Sequence, residues 1–115
     1  MSENKNTKNK EYIFHREDGG TIRISEDVIA VVAGGAAAEV EGVGGLMPSK
    51  GAAKGVRLIM REEKVALDLY LSVKYGCVIP EVAEKVQKAV ASAVEASTGF
   101  VIHEVNVNVG GLDFE

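Results

Sequence analysis

The stretch of sequence that decides the fold is residues 56–75, VRLIMREEKVALDLYLSVKY. In its second half, alternate positions from Val65 to Tyr75 are apolar, and the positions between them are mostly polar. Strict alternation of this length predicts a β-strand with one buried and one wetter face. Residues 56–61 alternate in the same way, and the polar residues 62–64 predict a turn. The stretch therefore predicts a β-hairpin whose apolar face the rest of the chain must cover.

Two amphipathic helices are predicted on either side of this hairpin. Ser25 is a suitable N-cap for the first, from about residue 26 to 39. Its predicted buried stripe is Val28, Ile29, Val32, Ala36 and Val40. The second runs from about residue 80 to 97, with Pro80 in its first turn and Gly99 after its end. A valine at every fourth position gives this helix an apolar face, at Val82, Val86, Val90 and Val94.

The remaining elements complete a small α+β domain. Strands are predicted at residues 21–24 and 100–109, a further short strand at 12–15, and a long glycine-rich loop at 42–55. The order β-α-β-β-α-β predicts a two-layer sandwich, in which a four-stranded mixed sheet carries both helices on one face. The strand order stays open: a ferredoxin-like order would put the short strand 21–24 in the centre, and the lengths of strands 65–75 and 100–109 favour their direct pairing. The polar residues 1–10 predict a disordered basic arm, and residues 11–115 a single domain.

Composition restricts the function classes. The chain of 115 residues has a net charge of −4, and the basic first ten residues leave the remainder still more acidic. This balance argues against general affinity for nucleic acids or anionic membranes. No run approaches 18 apolar residues, so no direct membrane insertion is predicted. A single cysteine, Cys77, predicts a cytoplasmic location, since no internal disulfide is possible.

No catalytic, cofactor-binding or metal-binding residues are predicted, and the chain does not read as an enzyme. His15 and His103 are far apart in the sequence, and His103 alternates with valines, which predicts a position on or near the buried face. The lone thiol has no histidine pattern beside it that would favour a nucleophile.

Three surface features are candidates for binding. The first is the sheet face opposite the helices, where the candidate partner residues are Arg57, Arg61, Tyr70, Asn106 and Asn108. The second is a small-residue patch, Gly34, Gly35 and Ala38, which fits either close packing on the sheet or self-association. The third is the pair Glu39 and Glu41 at the C-terminal end of the first helix, where the helix dipole disfavours acids. Simple solvation accounts for that pair, and the alternative is pairing with Lys50, Lys54 or a basic group of a partner.

The glycine-rich loop 42–55 supports an alternative function. With Lys50 and Lys54 it has the composition of a phosphate-binding or nucleic-acid-binding loop, but the P-loop pattern is not met. A connection without a ligand is the simpler interpretation.

Three segments resemble one known family. They are residues 24–43, ISEDVIAVVAGGAAAEVEGV, residues 75–90, YGCVIPEVAEKVQKAV, and residues 98–114, TGFVIHEVNVNVGGLDF. Together they are similar to the alkaline-shock protein family, the envelope-stress proteins of Gram-positive bacteria. The resemblance implies a small cytoplasmic α+β protein without catalytic residues. It also implies self-assembly and, for some relatives, attachment beneath the membrane through a small anchor protein.

Overall fold

The computed structural model describes residues 11–15, 19–49, 51–52, 54–61 and 64–114, with the backbone alone for residues 11–15 and 61. The predicted arm at residues 1–10 therefore lies outside the described residues. The helices are α1, Glu26–Ala38, and α2, Ile79–Thr98. The strands are β1, Glu11–His15; β2, Thr21–Ser25; β3, Val43–Leu46; β4, Val56–Arg61; β5, Lys64–Lys74; and β6, Ile102–Asp113.

Strand β5 is the centre of the main sheet. Its alternate side chains Val65, Leu67, Leu69, Leu71 and Val73 are buried, as the sequence predicts. β4 pairs antiparallel with residues 64–69 and β3 antiparallel with residues 71–73, while β6 runs parallel along nearly the whole strand. Because a strand has two edges, β3 and β4 lie end to end along one edge of β5 and β6 lies along the other. Of the strand orders that the sequence left open, the structure has the one in which strands 65–75 and 100–109 pair directly.

Both helices pack on the same face of this sheet. The core contains the buried side chains of β5 together with Ile29 of α1 and Val82, Val86, Val90 and Val94 of α2. Ser25 caps α1 by accepting a hydrogen bond from the Val28 amide at 3.3 Å. Gly99 follows α2 with a φ of 82°, which glycine adopts without steric cost. The α+β class, with a four-stranded mixed sheet and two helices on one face, is confirmed.

The identity of the fourth strand differs from the prediction. Residues 21–25 pair with β1 in a separate two-stranded hairpin, and β3, inside the predicted loop 42–55, takes the place in the main sheet. One glycine of β3 fits there for a steric reason: a Cβ at Gly44 would lie 2.6 Å from Ser72 Oγ and 3.0 Å from Asp113 Cβ, whereas a Cβ at Gly45 would meet nothing within 4 Å. Gly44 therefore reflects close packing rather than a loop.

Some side chains lie on surfaces other than those predicted. Tyr75, the last apolar position of the predicted alternation, is 68% exposed, because β5 ends at Lys74. Val28 is 51% exposed, because the buried stripe of α1 runs through Ile29, Ala30, Ala33 and Ala37. His103 is exposed as well. The register of β6 shifts between Ile102 and Glu104, so His103 is the extra residue of a β-bulge and leaves the alternation of the valines.

Candidate functional site

The open face, defined as the side of the main sheet opposite the two helices, carries the predicted partner residues in adjacent strands. Arg57 of β4 lies directly opposite Asp68 of β5, and Asp68 lies opposite Asn106 of β6. Two residues further along each strand, Tyr70 lies opposite Asn108. Arg57 and Asn108 are exposed, whereas the side chains between them are half-buried. The structure therefore brings four of the five predicted residues onto one face. The side chain of Arg61 lies outside the described residues.

Hydrogen bonds hold the asparagines of the open face in place. Asn106 donates through Nδ2 to Oδ1 of Asp68 at 2.8 Å, and Asn108 donates through Nδ2 to the carbonyl oxygen of Leu69 at 3.1 Å. Each amide keeps its own carbonyl oxygen as an acceptor for a partner. Arg57 and Asp68 form an opposite-charge cross-strand pair, an arrangement that stabilises a sheet. The result is a polar, ordered surface with an arginine at one edge and a tyrosine near its middle.

A methionine that the sequence analysis did not select completes this face. The sulfur of Met47 would lie 3.6 Å from a Cβ at Gly110 and 3.5 Å from one at Gly111, so two glycines of β6 leave room for it. The Met47 amide donates to the Tyr70 carbonyl at 2.7 Å, and the Tyr70 amide donates to the Gly55 carbonyl at 2.8 Å. Met47 and Gly55 thus both contact the backbone of Tyr70. The adjacent glycines 110 and 111, directly after the predicted strand 100–109, were the available signal for a side chain packed there.

The structure divides the predicted small-residue patch. A Cβ at Gly34 would lie 3.9 Å from both Leu46 and Val56, so Gly34 faces the sheet of its own chain. Gly35 and Ala38 are exposed and lie on the side of α1 that carries the 58% exposed Val31. Close packing on the sheet accounts for the first glycine only.

The predicted acidic pair is exposed at the end of α1. Glu39 and Glu41 both lie on the surface. Lys54, one of the proposed partners, instead forms an ion pair at 3.1 Å with Asp27, in the first turn of the helix. Lys50 lies outside the described residues. Pairing with a basic group of another protein remains a prediction.

The loop interpretation of residues 42–55 is wrong for its first part. Gly44 and Gly45 belong to β3 and pair with β5, so their backbone groups are engaged in the sheet. With Lys54 paired to Asp27, the described residues of this segment present no cradle of free amides and lysines for a phosphate.

Chemistry-bearing groups are sparse in the part of the chain that the structure describes. No three His, Cys, Asp or Glu side chains there lie close enough together to hold a metal ion. Cys77 is exposed and unpaired by any disulfide. Of the two helices described, neither is long and apolar enough to cross a membrane.

A family model and several related sequences match most of this chain. The model of the alkaline shock protein 23 family, described as having a cell envelope-related function, matches residues 15–114. Bacillus subtilis YloU, named as an uncharacterized protein, is 34% identical over 106 residues, which cover 81% of this chain and 88% of YloU. The uncharacterized protein Spy1614 of Streptococcus pyogenes is 36% identical over 107 residues, with the same coverage.

Solved structures of MamM CTD share the fold. One of them aligns with a TM-score of 0.52 over 77% of this chain and 95% of its own, at 19% sequence identity. Identity at this level supports similarity of architecture alone.

Proposed function

The chain belongs to the alkaline shock protein 23 family, whose described function relates to the cell envelope, and we propose that it acts there as a non-enzymatic, self-associating scaffold or adaptor. In this proposal the protein is cytoplasmic, and a small membrane-anchored protein tethers it at the membrane. The observation that carries the proposal is the open face, where Arg57, Tyr70 and two ordered asparagines stand in register on the side of the sheet away from the helices.

The residue types of the open face favour a protein partner. Arginine and tyrosine are enriched at interface hot spots, because each buries a large area while it keeps polar groups for hydrogen bonds. The acidic net charge of −4 disfavours a polyanionic partner. A sheet face that contacts only solvent does not require apolar or aromatic side chains, whereas this face carries the half-buried Ile59 and Tyr70.

A double substitution tests this face. We expect Arg57→Ala with Tyr70→Ala to weaken binding of the anchor protein by about 2 kcal/mol or more, roughly thirtyfold. The measurement is a crosslinked pull-down from the native cell, read by mass spectrometry for a small integral-membrane protein. The circular-dichroism spectrum should stay native, because neither side chain belongs to the core.

The matched control removes two exposed side chains from another surface. Lys85→Ala with Lys88→Ala alters the outer side of α2 and should leave the captured partner unchanged. Equal capture by the folded open-face variant and by the wild type would show that this face is not the interface. Glu39 and Glu41, or Gly35 and Ala38, would then be the next surfaces to test.

A further inference from the structure

The outer edge of β6 presents a long row of backbone groups. β6 has twelve residues and pairs with β5 along one side. In the described part of the chain, no other strand pairs with β6. An edge of this kind is a template for another extended chain, and proteins usually protect it unless they use it.

Side chains from α2 identify which groups point outward. Gln87 donates through Nε2 to the carbonyl oxygen of Val105 at 2.9 Å, so this carbonyl points away from β5. Successive residues of a strand direct their backbone groups to opposite edges. Val107 and Val109 therefore share the outward direction of Val105. Glu95 accepts a hydrogen bond from the Ile102 amide at 2.9 Å, so side chains of α2 already occupy two outward groups in the first part of the strand. Pairing at Val105 therefore uses the second lone pair of its carbonyl oxygen.

Irregularities limit the part of the edge that can pair. Register shifts occur between Ile102 and Glu104 and again between Val109 and Gly111. The stretch between them, residues 104–109, is regular. It contains three valines whose backbone N–H and C=O groups point to the outer edge of the sheet. A partner strand of about five residues fits this stretch, the usual length of a strand in a sheet.

We propose that this β6 edge binds the β6 edge of a second copy of the chain, antiparallel and centred on Val107. The inference deepens the proposed self-association and rests on it, but it uses a surface separate from the Arg57 and Tyr70 side chains. In this register, Asn106 of one copy lies opposite Asn108 of the other on the open face. Val105 lies opposite Val109 on the helix-covered face. Glu104 meets Gly110, so no like charges are opposed.

Exposed apolar side chains at both ends of β6 support the antiparallel direction. Val101, just before the strand, is 65% exposed, while Leu112 and Phe114 at the other end are 46% and 71% exposed. Antiparallel pairing brings the beginning of one strand to the end of the other, so Val101 approaches Leu112 and Phe114 of the second copy. The half-buried valines at 105, 107 and 109 would gain cover as well. A parallel arrangement would leave these two apolar ends apart.

Thiol crosslinking tests the register. In a Cys77→Ser background, Asn108→Cys places two thiols diagonally across the proposed interface, at about 7–8 Å between the copies. Glu104→Cys is the matched control on the same strand and is also exposed, but its two thiols would be about 20 Å apart. We expect a short bismaleimide to crosslink the first protein as a dimer and to leave the second monomeric. Equal yields from both would overturn the proposal.

Two further variants separate this edge from other modes of association. Arg57→Cys lies on the opposite edge of the sheet, so its crosslinking would indicate stacked open faces and would contradict edge pairing. Val107→Pro removes an outward amide and should halve the apparent mass in light scattering, because proline is tolerated at a strand edge but cannot pair there. Retention of the dimer by the folded proline variant would overturn the proposal, and the crosslinking result stands if that variant does not fold.

The same variants show whether the edge-pairing proposal and the proposed adaptor function stand or fail separately. If Val107→Pro abolishes the dimer while capture of the anchor protein persists, both proposals hold with separate surfaces. If the wild type is monomeric and uncrosslinked by Asn108→Cys, the edge proposal fails, whereas the open-face experiment still decides the adaptor role.

Discussion

Glycine has two different uses in this chain, at Gly44 in β3 and at Gly35 in α1. A Cβ at Gly44 would lie 2.6 Å from Ser72 Oγ, whereas a Cβ at Gly35 would meet nothing within 4 Å. We expect Gly44→Ala to lower the free energy of unfolding by about 1–3 kcal/mol through overpacking. Gly35→Ala should raise it by about 0.5–1 kcal/mol, because alanine is the better helix former. Urea denaturation of the two variants measures the difference, and equal effects would contradict the close packing of Gly44 against Ser72 and Asp113.

Single residues were also where sequence patterns failed. The alternation of His103 with valines predicted a buried position, but a bulge interrupts the period of two and places the side chain at the surface. Val28 was assigned to the buried stripe because α1 is apolar over most of its circumference, so several helical stripes fit its sequence equally well. A periodic pattern predicts burial only where the strand or helix is uninterrupted and its two faces differ in polarity. The first condition fails at His103 and the second fails at Val28.

At the scale of elements, the attachment of α1 to the sheet depends on its first turn. Glu26 accepts a hydrogen bond from the Leu58 amide of β4 at 3.1 Å, and this contact is partly buried. The neighbouring ion pair between Asp27 and Lys54 joins two side chains that are each about half exposed, 52% and 53%. These two contacts link the same helix end to neighbouring segments but differ in burial.

This difference gives a matched pair of substitutions. Glu26→Ala should lower the free energy of unfolding by about 1–3 kcal/mol, since a charged acceptor is lost from a partly buried amide. Lys54→Ala should cost less than about 1 kcal/mol, because solvent screens an exposed ion pair. Chemical denaturation in low salt compares the two variants. A larger cost for the lysine variant would contradict this ranking.

The elements with strong periodicity were predictable, and the one without it was not. Alternation predicted β4, β5 and β6, and the capping and glycine signals predicted both helices within one or two residues. β3 escaped prediction because Gly44 and Gly45 carry no side chains to alternate. The predicted strand 21–24 was therefore assigned to the main sheet in its place. Arg57, Tyr70, Asn106 and Asn108 lie on one face because they follow the register of β4, β5 and β6, and their role as a partner surface stays a prediction.

At the scale of the whole molecule, the net charge predicts whether the protein binds a lipid surface directly. The net charge of −4 opposes attraction to anionic lipid headgroups, which depends on clustered lysine and arginine. Neither described helix is long and apolar enough to cross a bilayer. Under the adaptor proposal, membrane attachment comes from the anchor protein and not from lipid.

Sedimentation with vesicles tests this dependence on a partner. With vesicles of phosphatidylglycerol and phosphatidylcholine at physiological salt, we expect the purified protein to stay in the supernatant. Vesicles that contain the anchor protein should bring it into the pellet, and Arg57→Ala with Tyr70→Ala should reduce that pelleting, whereas Lys85→Ala with Lys88→Ala should not. Strong pelleting with lipid alone would contradict the proposal, because it would mean that the chain itself provides the membrane contact. Exposed Tyr75 and Phe114, whose rings lie 4.9 Å apart, would then be the first side chains to replace.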